Sequence, residues 1–278
     1  MKNLIDRKVK VNFTVLLSVV TCIFTFNACL EESPIPTTNY SVSNSESVID
    51  VDGNMYNTVT IGTQVWMTEN LRTTKYRNGS SLTNITQVSQ WGALTTGAYC
   101  SFSNSTTTQM YGRFYNWYAV NDSRNIAPAG WHVPTYNEWL TLWYYLGGDS
   151  LVGGQLKETG TSHWYYPNSG ATNGWGFNAL PAGFIKEDGN FYGFGYYTLW
   201  WTVTENASNS LNAECQEIDY NHPGLYDNNL PKNWGLSIRC VRDIAAYAPS
   251  NTNNSRSYVA HCRSISNDKE KKTISGVP

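Results

Sequence analysis

Charged side chains are scarce in this chain. They make up 14% of its 278 residues, no more than the aromatics, which are also 14%. A disordered chain combines high charge with few aromatics, so that class is excluded. A basic excess is missing as well. Lys and Arg number 19 against 21 Asp and Glu, a net charge of -2, and nothing supplies the basic surface that a nucleic-acid partner needs. Histidine is rare: His132, His163, His222 and His261 are scattered and form no H-x-x-x-H spacing, and no C-x-x-C occurs. No metal or other cofactor is expected. The apolar run from Val11 to Phe26 falls short of the about 20 residues of a spanning helix.

That run has a different meaning. Lys2, Arg7, Lys8 and Lys10 precede it, and a basic start with a short apolar core reads as a secretory signal. Phe26-Asn27-Ala28-Cys29 resembles the lipobox of bacterial lipoproteins, which implies a signal over residues 1–28 and lipidation of Cys29. Acyl chains would then be the chain's contact with a membrane. Leu30-Glu31-Glu32-Ser33-Pro34 is similar to the surface-export signal of Bacteroidetes-type lipoproteins. It implies a cell-envelope, outer-membrane lipoprotein facing the exterior. The remainder of residues 29–47 is rich in Ser, Thr, Asn and Pro and reads as a flexible tether. Counted from Cys29 to Asp243, basic residues number 10 and acidic residues 18. The near-neutral total therefore conceals an acidic domain, a poor partner for anionic surfaces.

One globular domain is expected over residues 48–243, and a polar, disordered tail over 244–278. The domain opens on Asp50-Val51-Asp52-Gly53-Asn54, a turn signature. Met55 to Ile61 and Gln64 to Met67 flank Gly62-Thr63, which predicts a hairpin. Thr135 and Glu138 have capping-box spacing, and Trp139, Leu142, Trp143 and Leu146 recur at three and four. These predict a helix that Gly147-Gly148 stops. A second helix is expected over Tyr111 to Val120, although Phe114 to Tyr118 also alternates like a strand. From Gly153 to Trp201 the density of Gly, Asn and aromatics predicts loops and short strands.

Several blocks resemble one family. They include Asp52-Gly53-Asn54, Trp66-Met67-Thr68-Glu69-Asn70-Leu71, Gly97-Ala98-Tyr99-Cys100 and Tyr111-Gly112-Arg113-Phe114-Tyr115-Asn116-Trp117. Gly130-Trp131-His132-Val133-Pro134-Thr135, Leu180-Pro181-Ala182-Gly183, Trp200-Trp201-Thr202-Val203-Thr204-Glu205 and Gly235-Leu236-Ser237-Ile238-Arg239-Cys240-Val241-Arg242-Asp243 follow in order. Together they resemble the Fibrobacter succinogenes major paralogous domain, a family of bacterial secreted and surface lipoproteins with no activity to carry over. More remotely, the Gly130 and Ser237 blocks are similar to signatures of the formylglycine-generating-enzyme fold, a variant of the C-type lectin-like domain. That resemblance implies an α+β fold: two helices, small antiparallel sheets and a long irregular loop region. Such a fold hosts binding modules and enzymes alike.

With Cys22 in the signal and Cys29 as the anchor, Cys100, Cys215, Cys240 and Cys262 remain. The lectin-like resemblance implies a disulfide between Cys100 and Cys240. Cys215 with Cys240 is the local alternative, and Cys262 either pairs with Cys215 or stays free. The copper-binding cysteine pair of formylglycine-generating enzymes has no close-spaced counterpart. Glu69, Glu138, Glu158 and Glu205 are the candidate acids of a hydrolase, but Glu138 has a capping role and no motif brings two together. The calcium-lectin triplets are absent, and Asp50 to Gly53 reads as a turn rather than a metal loop. Trp131, Trp139, Trp200 and Trp201 are expected in the core. Trp164, Tyr165, Tyr166, Tyr196 and Tyr197 are the candidate surface rings for ligand stacking. The expected function is non-enzymatic binding of an extracellular glycan or protein. A cell-envelope hydrolase and a structural adhesion or surface-layer component are the alternatives.

Overall fold

The computed structural model describes residues 46–102 and 105–243. The signal, Cys29, the tether up to residue 45, Cys262 and the tail lie outside the described residues. Glu46 and Ser47, the last tether residues, join the folded part: Ser47 opens the first strand, and Glu46 pairs with Arg242.

Strands β1 (Ser47–Ile49), β2 (Met55–Ile61) and β3 (Gln64–Met67) open the domain. The turn between β1 and β2 is the expected one. Asp50 Oδ1 accepts the backbone N–H groups of Asp52 and Asn54 at 2.9 Å, and Asp50 Oδ2 takes the Tyr56 hydroxyl at 2.6 Å. The hairpin β2–β3 closes with Ile61 opposite Gln64. Gly62, at φ +62°, is required there because a Cβ would stand 2.7 Å from the Tyr145 ring.

Next come β4 (Thr83–Asn84), β5 (Ala98–Cys100), α1 (Ser105–Tyr111), β6 (Phe114–Tyr115) and α2 (Trp117–Val120). The helix expected over 111–120 is thus broken in two places. Gly112 turns at φ +85°, where a Cβ would stand 2.6 Å from the Asn70 Cβ. Phe114 and Tyr115 then pair with β5 as a strand. Asn116 restarts the helix, its side chain accepting from Ala119 N–H at 3.1 Å.

β7 (Trp131–His132) leads into α3 (Tyr136–Tyr145). The capping box forms: Glu138 Oε2 accepts the Thr135 N–H at 2.7 Å, and Thr135 Oγ1 accepts the Glu138 N–H at 3.2 Å. Trp139 and Leu142 are the buried face, and Gly147 and Gly148 end the helix at positive φ. α4 (Val152–Leu156) follows. Most of α4 falls inside the stretch Gly153 to Trp201, where only loops and short strands were expected; residues 157–183 of that stretch carry no helix or strand beyond isolated bridges.

β8 (Phe184–Ile185), β9 (Phe191–Tyr192), β10 (Tyr197–Glu205), β11 (Asn212–Asp219), β12 (Tyr226–Pro231) and β13 (Val241–Arg242) complete the order. Three groups are antiparallel: β1-β2-β3-β13-β7, β10-β11-β12 and β8-β9. The β4-β5-β6 sheet is mixed, with β4 parallel to β5. The architecture is α+β, a few helices beside small and mainly antiparallel sheets. β13 inserts between β3 and β7, so the closing block of the sequence locks onto the opening one.

Trp131, Trp139, Trp200 and Trp201 are all buried, as expected. Trp139 lies 4.8 Å from Trp66 and stacks on Trp200 at 5.5 Å. A polar knot joins this core. Asn70 Oδ1 accepts from Trp200 Nε1 at 2.9 Å and Arg239 Nη2 at 3.0 Å, and Asn70 Nδ2 donates to the Tyr111 carbonyl at 2.9 Å. Arg239 Nη1 donates to the Phe177 carbonyl at 2.5 Å. A buried cation is tolerable only with partners of this kind.

The expected Cys100–Cys240 disulfide is not formed. Cys100, Cys215 and Cys240 are free thiols. Cys240 and Cys215 belong to the core that holds Trp201, whereas Cys100 packs at the edge of a separate cluster around Phe114 and Trp91. The resemblance placed the two cysteines in comparable blocks, but packing puts them in different cores.

Candidate functional site

Two loop segments build an aromatic surface. The first follows α4. Trp164 is 1% exposed, with its indole N–H on the Ala179 carbonyl at 2.9 Å. This corrects its placement at the surface: the ring is the anchor beneath the segment, and Lys157 Nζ lies 5.5 Å from its centroid. Tyr165 and Tyr166, the next two residues, are 53% and 83% exposed.

The second segment is Gly193 to Tyr196. Tyr165 N–H donates to the Gly195 carbonyl at 2.9 Å and ties the two segments together. The Tyr165 and Tyr196 rings stack with centroids 4.1 Å apart and planes 8° apart, and Tyr220 meets Tyr196 edge-on at 5.1 Å. Tyr197 does not join them. It begins β10, is half-buried, and packs on Phe184 at 6.4 Å. Strand alternation explains the correction, since successive side chains point to opposite faces. Of the five rings expected at the surface, Tyr165, Tyr166 and Tyr196 are there.

The structure adds rings that the sequence reading missed. Phe194 is exposed and contacts Tyr111 at 4.9 Å and Phe102 at 5.6 Å. Phe102 in turn stacks on the exposed Phe191 at 5.7 Å. A signal existed for Phe194. It stands between Gly193 and Gly195, both at positive φ, a setting for a tight turn rather than a core strand.

One polar pair edges this face. His163 Nδ1 lies 2.8 and 2.9 Å from the two Glu158 oxygens, and its ring meets Tyr111 edge-on at 5.8 Å. Burial, then the Glu158 charge, pushes the Tyr111 phenol up, so it stays protonated and able to donate. Beyond Phe191 the face drops into a cleft of about 420 Å³. Phe102, Phe191 and Trp91 form its apolar lining, and Asn84, Thr86, Ser101 and the Cys100 thiol its polar one; no lining residue is charged. It is larger than the clefts of about 190 Å³ beside Arg77 and about 150 Å³ beside Trp143.

The candidate acids are otherwise engaged. Glu69 accepts the Asn57 N–H and side-chain amide at 2.8 Å each. Glu138 caps α3 and meets His132 Nε2 at 2.7 Å, while Glu205 pairs with Lys232. Each of the four holds a different partner. Among the described residues no group of three or more His, Cys, Asp or Glu is placed to hold a metal ion.

These features define an α+β domain of small sheets with an exposed aromatic face running into an uncharged cleft. The chain belongs to the Fibrobacter succinogenes major domain family, whose profile matches residues 59–242. The match starts inside β2 and ends in β13, so it takes in both loop segments of the aromatic face. No curated protein and no solved structure matches the chain.

Proposed function

We propose that this domain is a non-enzymatic recognition module for an extracellular glycan, held at the outer face of the cell envelope by acyl chains on Cys29. We infer in addition that its fold is of the C-type lectin-like kind. The irregular stretch 157–183, with helices beside small antiparallel sheets, supports that reading.

One observation carries the functional reading. Tyr165, Tyr166, Tyr196, Phe194 and Phe191 are each exposed, and Phe191 lines a cleft large enough for a sugar residue. Exposed rings are costly to leave in water and serve as stacking platforms. A protein partner would use the same rings as anchors. The uncharged cleft with amide and hydroxyl groups favours a glycan, because sugar hydroxyls pair with neutral polar side chains. Glu158 is a single carboxylate on this face, held by His163, whereas glycoside hydrolysis uses a pair.

The test is a glycan array probed with the mature chain, followed by calorimetry on the hits. Binding is expected, with a loss of about fivefold or more in Tyr166→Ala and no change in melting temperature, since stacked side chains contribute on the order of 1 kcal/mol. A blank array together with pull-down of a specific protein partner would overturn the glycan reading.

A further inference from the structure

A second cleft, of about 290 Å³, adjoins the uncharged one, and the two share Ser101 and Phe102. Its character is opposite. Arg72 and Arg113 both line it, and neither has a carboxylate partner among the described residues. Lys75, Arg124, Lys232 and Arg242 by contrast each pair with an acid.

Neutral groups hold both guanidiniums: Arg72 lies over the Tyr56 ring at 4.5 Å and Arg113 over the Tyr99 ring at 5.1 Å. Arg72 is 5% exposed; its Nη2 donates to the Met55 carbonyl at 2.7 Å, and its Nε–H meets no acceptor. Arg113 Nε donates to the Arg72 carbonyl at 2.8 Å and Nη1 to Ser101 Oγ. Arg113 Nη2 makes no hydrogen bond among the described residues. The acids of the neighbouring turn are spoken for: Asp50 takes Tyr56 and Asn54, and Asp52 takes Lys75 and Thr74. A buried cation with an unmet donor and no carboxylate partner is unfavourable until an anion arrives. An acidic domain that keeps two arginines without a carboxylate partner at the rim of an aromatic cleft has an anion-selective corner in an otherwise anion-repelling surface.

We propose that the paired clefts take an acidic sugar, its ring against Phe102 and Phe191 and its carboxylate or sulfate facing Arg113 and Arg72. The proposal rests on the glycan-binding reading above and narrows its ligand class. Ser101 belongs to both clefts, and with its oxygen accepting from Arg113 its hydroxyl proton is left for the ligand. The planar guanidinium fork suits either anion, and Lys cannot reproduce that geometry.

Calorimetry on the mature chain with matched probes tests this. Oligogalacturonate is compared with its fully methyl-esterified form, and a sulfated galacto-oligosaccharide with its desulfated form. At least one acidic probe should bind about tenfold or more tighter than its uncharged counterpart, the scale of a charge-assisted hydrogen bond. The preference should shrink as salt rises and collapse in Arg113→Gln, with Arg113→Lys intermediate. The arm that shows the preference identifies carboxylate or sulfate as the source. Equal binding of charged and uncharged probes, or a preference that survives Arg113→Gln, overturns the acidic-sugar inference while glycan recognition stands. Failure of every probe, charged and uncharged, overturns the acidic-sugar inference and leaves the glycan reading to the array. If Arg113→Gln does not fold, as melting would show, the wild-type comparison decides alone.

Discussion

The phenol ring of Tyr165 lies parallel on that of Tyr196, 4.1 Å away, although 31 positions separate them in the chain. The pair exists because Trp164 pins one segment into the core while Gly195 receives the Tyr165 N–H from the other. Stacking of this kind pre-orders both rings, so a ligand that lands on them loses less side-chain entropy.

Gly195 is the residue on which the pair depends. It adopts φ +84°, and a Cβ there would stand 2.7 Å from two Tyr165 ring carbons. Gly195→Ala is expected to cost about 1–3 kcal/mol through the left-handed backbone and the displaced ring. Urea unfolding measures the loss. Affinity for any array hit should fall as well; unchanged affinity would show that the Tyr165–Tyr196 pair is not part of the binding surface.

Neighbouring aromatics should behave in opposite ways. Trp164→Ala removes a buried indole and its hydrogen bond to Ala179 and is expected to cost about 3–5 kcal/mol. Tyr166→Ala removes an exposed ring and should stay within about 0.5 kcal/mol. Denaturant midpoints for the two variants check the assignment directly. Similar losses in both would mean that Tyr166 packs as part of the fold.

His132 sets a pH dependence. Its Nε2 lies 2.7 Å from Glu138 and its Nδ1 2.6 Å from Asp243, and a carboxyl oxygen at each ring nitrogen calls for both ring N–H groups. The bond to Glu138, then the one to Asp243, raises its pKa against the opposing effect of burial. That stabilisation is complete below the unfolded value of about 6.5 and is lost as pH rises through the higher folded value. Burial pushes the Glu138 carboxyl up, but the bonds from His132 and Thr135 outweigh it and leave it lowered. Its contribution is present above about 4.3 and lost as pH falls through the folded value. The two contributions overlap between about pH 4.3 and 6.5. In His132→Gln the decline of stability above about pH 6.5 should flatten. Urea midpoints taken across that range give the answer, and parallel profiles for the two proteins would count against it.

The thiols give a further check. Burial raises the Cys100, Cys215 and Cys240 thiols above their ordinary value, which slows alkylation. Cys100 is half-buried and the other two are fully buried. Under native conditions an alkylating reagent should modify Cys100 first, and Cys215 and Cys240 only on unfolding. A peptide map without reductant that links Cys100 to Cys240 would show a bridge where the structure has two free thiols.

Local chemistry was readable wherever one short segment held the whole cause. The capping box Thr135–Glu138, the hairpin around Gly62 and the turn at Asp50 each formed as their residue types require. The helix expected over 111–120 failed for a tertiary reason. Gly112 had to let the chain past Asn70, and β5 captured Phe114 and Tyr115. Half-buried aromatics were harder to place. Trp164, Tyr165 and Tyr166 are neighbours of similar hydropathy, and only the presence of the Ala179 carbonyl and Lys157 beneath the segment sends the first inward.

Sequence alone pointed to the family, to an α+β fold through a resemblance, to the acidic balance of the charges and to four core tryptophans. The charge balance follows from composition, and the family, the fold class and the core tryptophans from the resemblance that the ordered blocks carry. Only the tertiary structure decided which rings reach solvent, that Cys100 and Cys240 lie in separate cores, and that Arg72 and Arg113 share a cleft with no acid between them. Those facts depend on contacts between residues far apart in sequence, and their energies come from burial and charge in three dimensions, which no local pattern encodes.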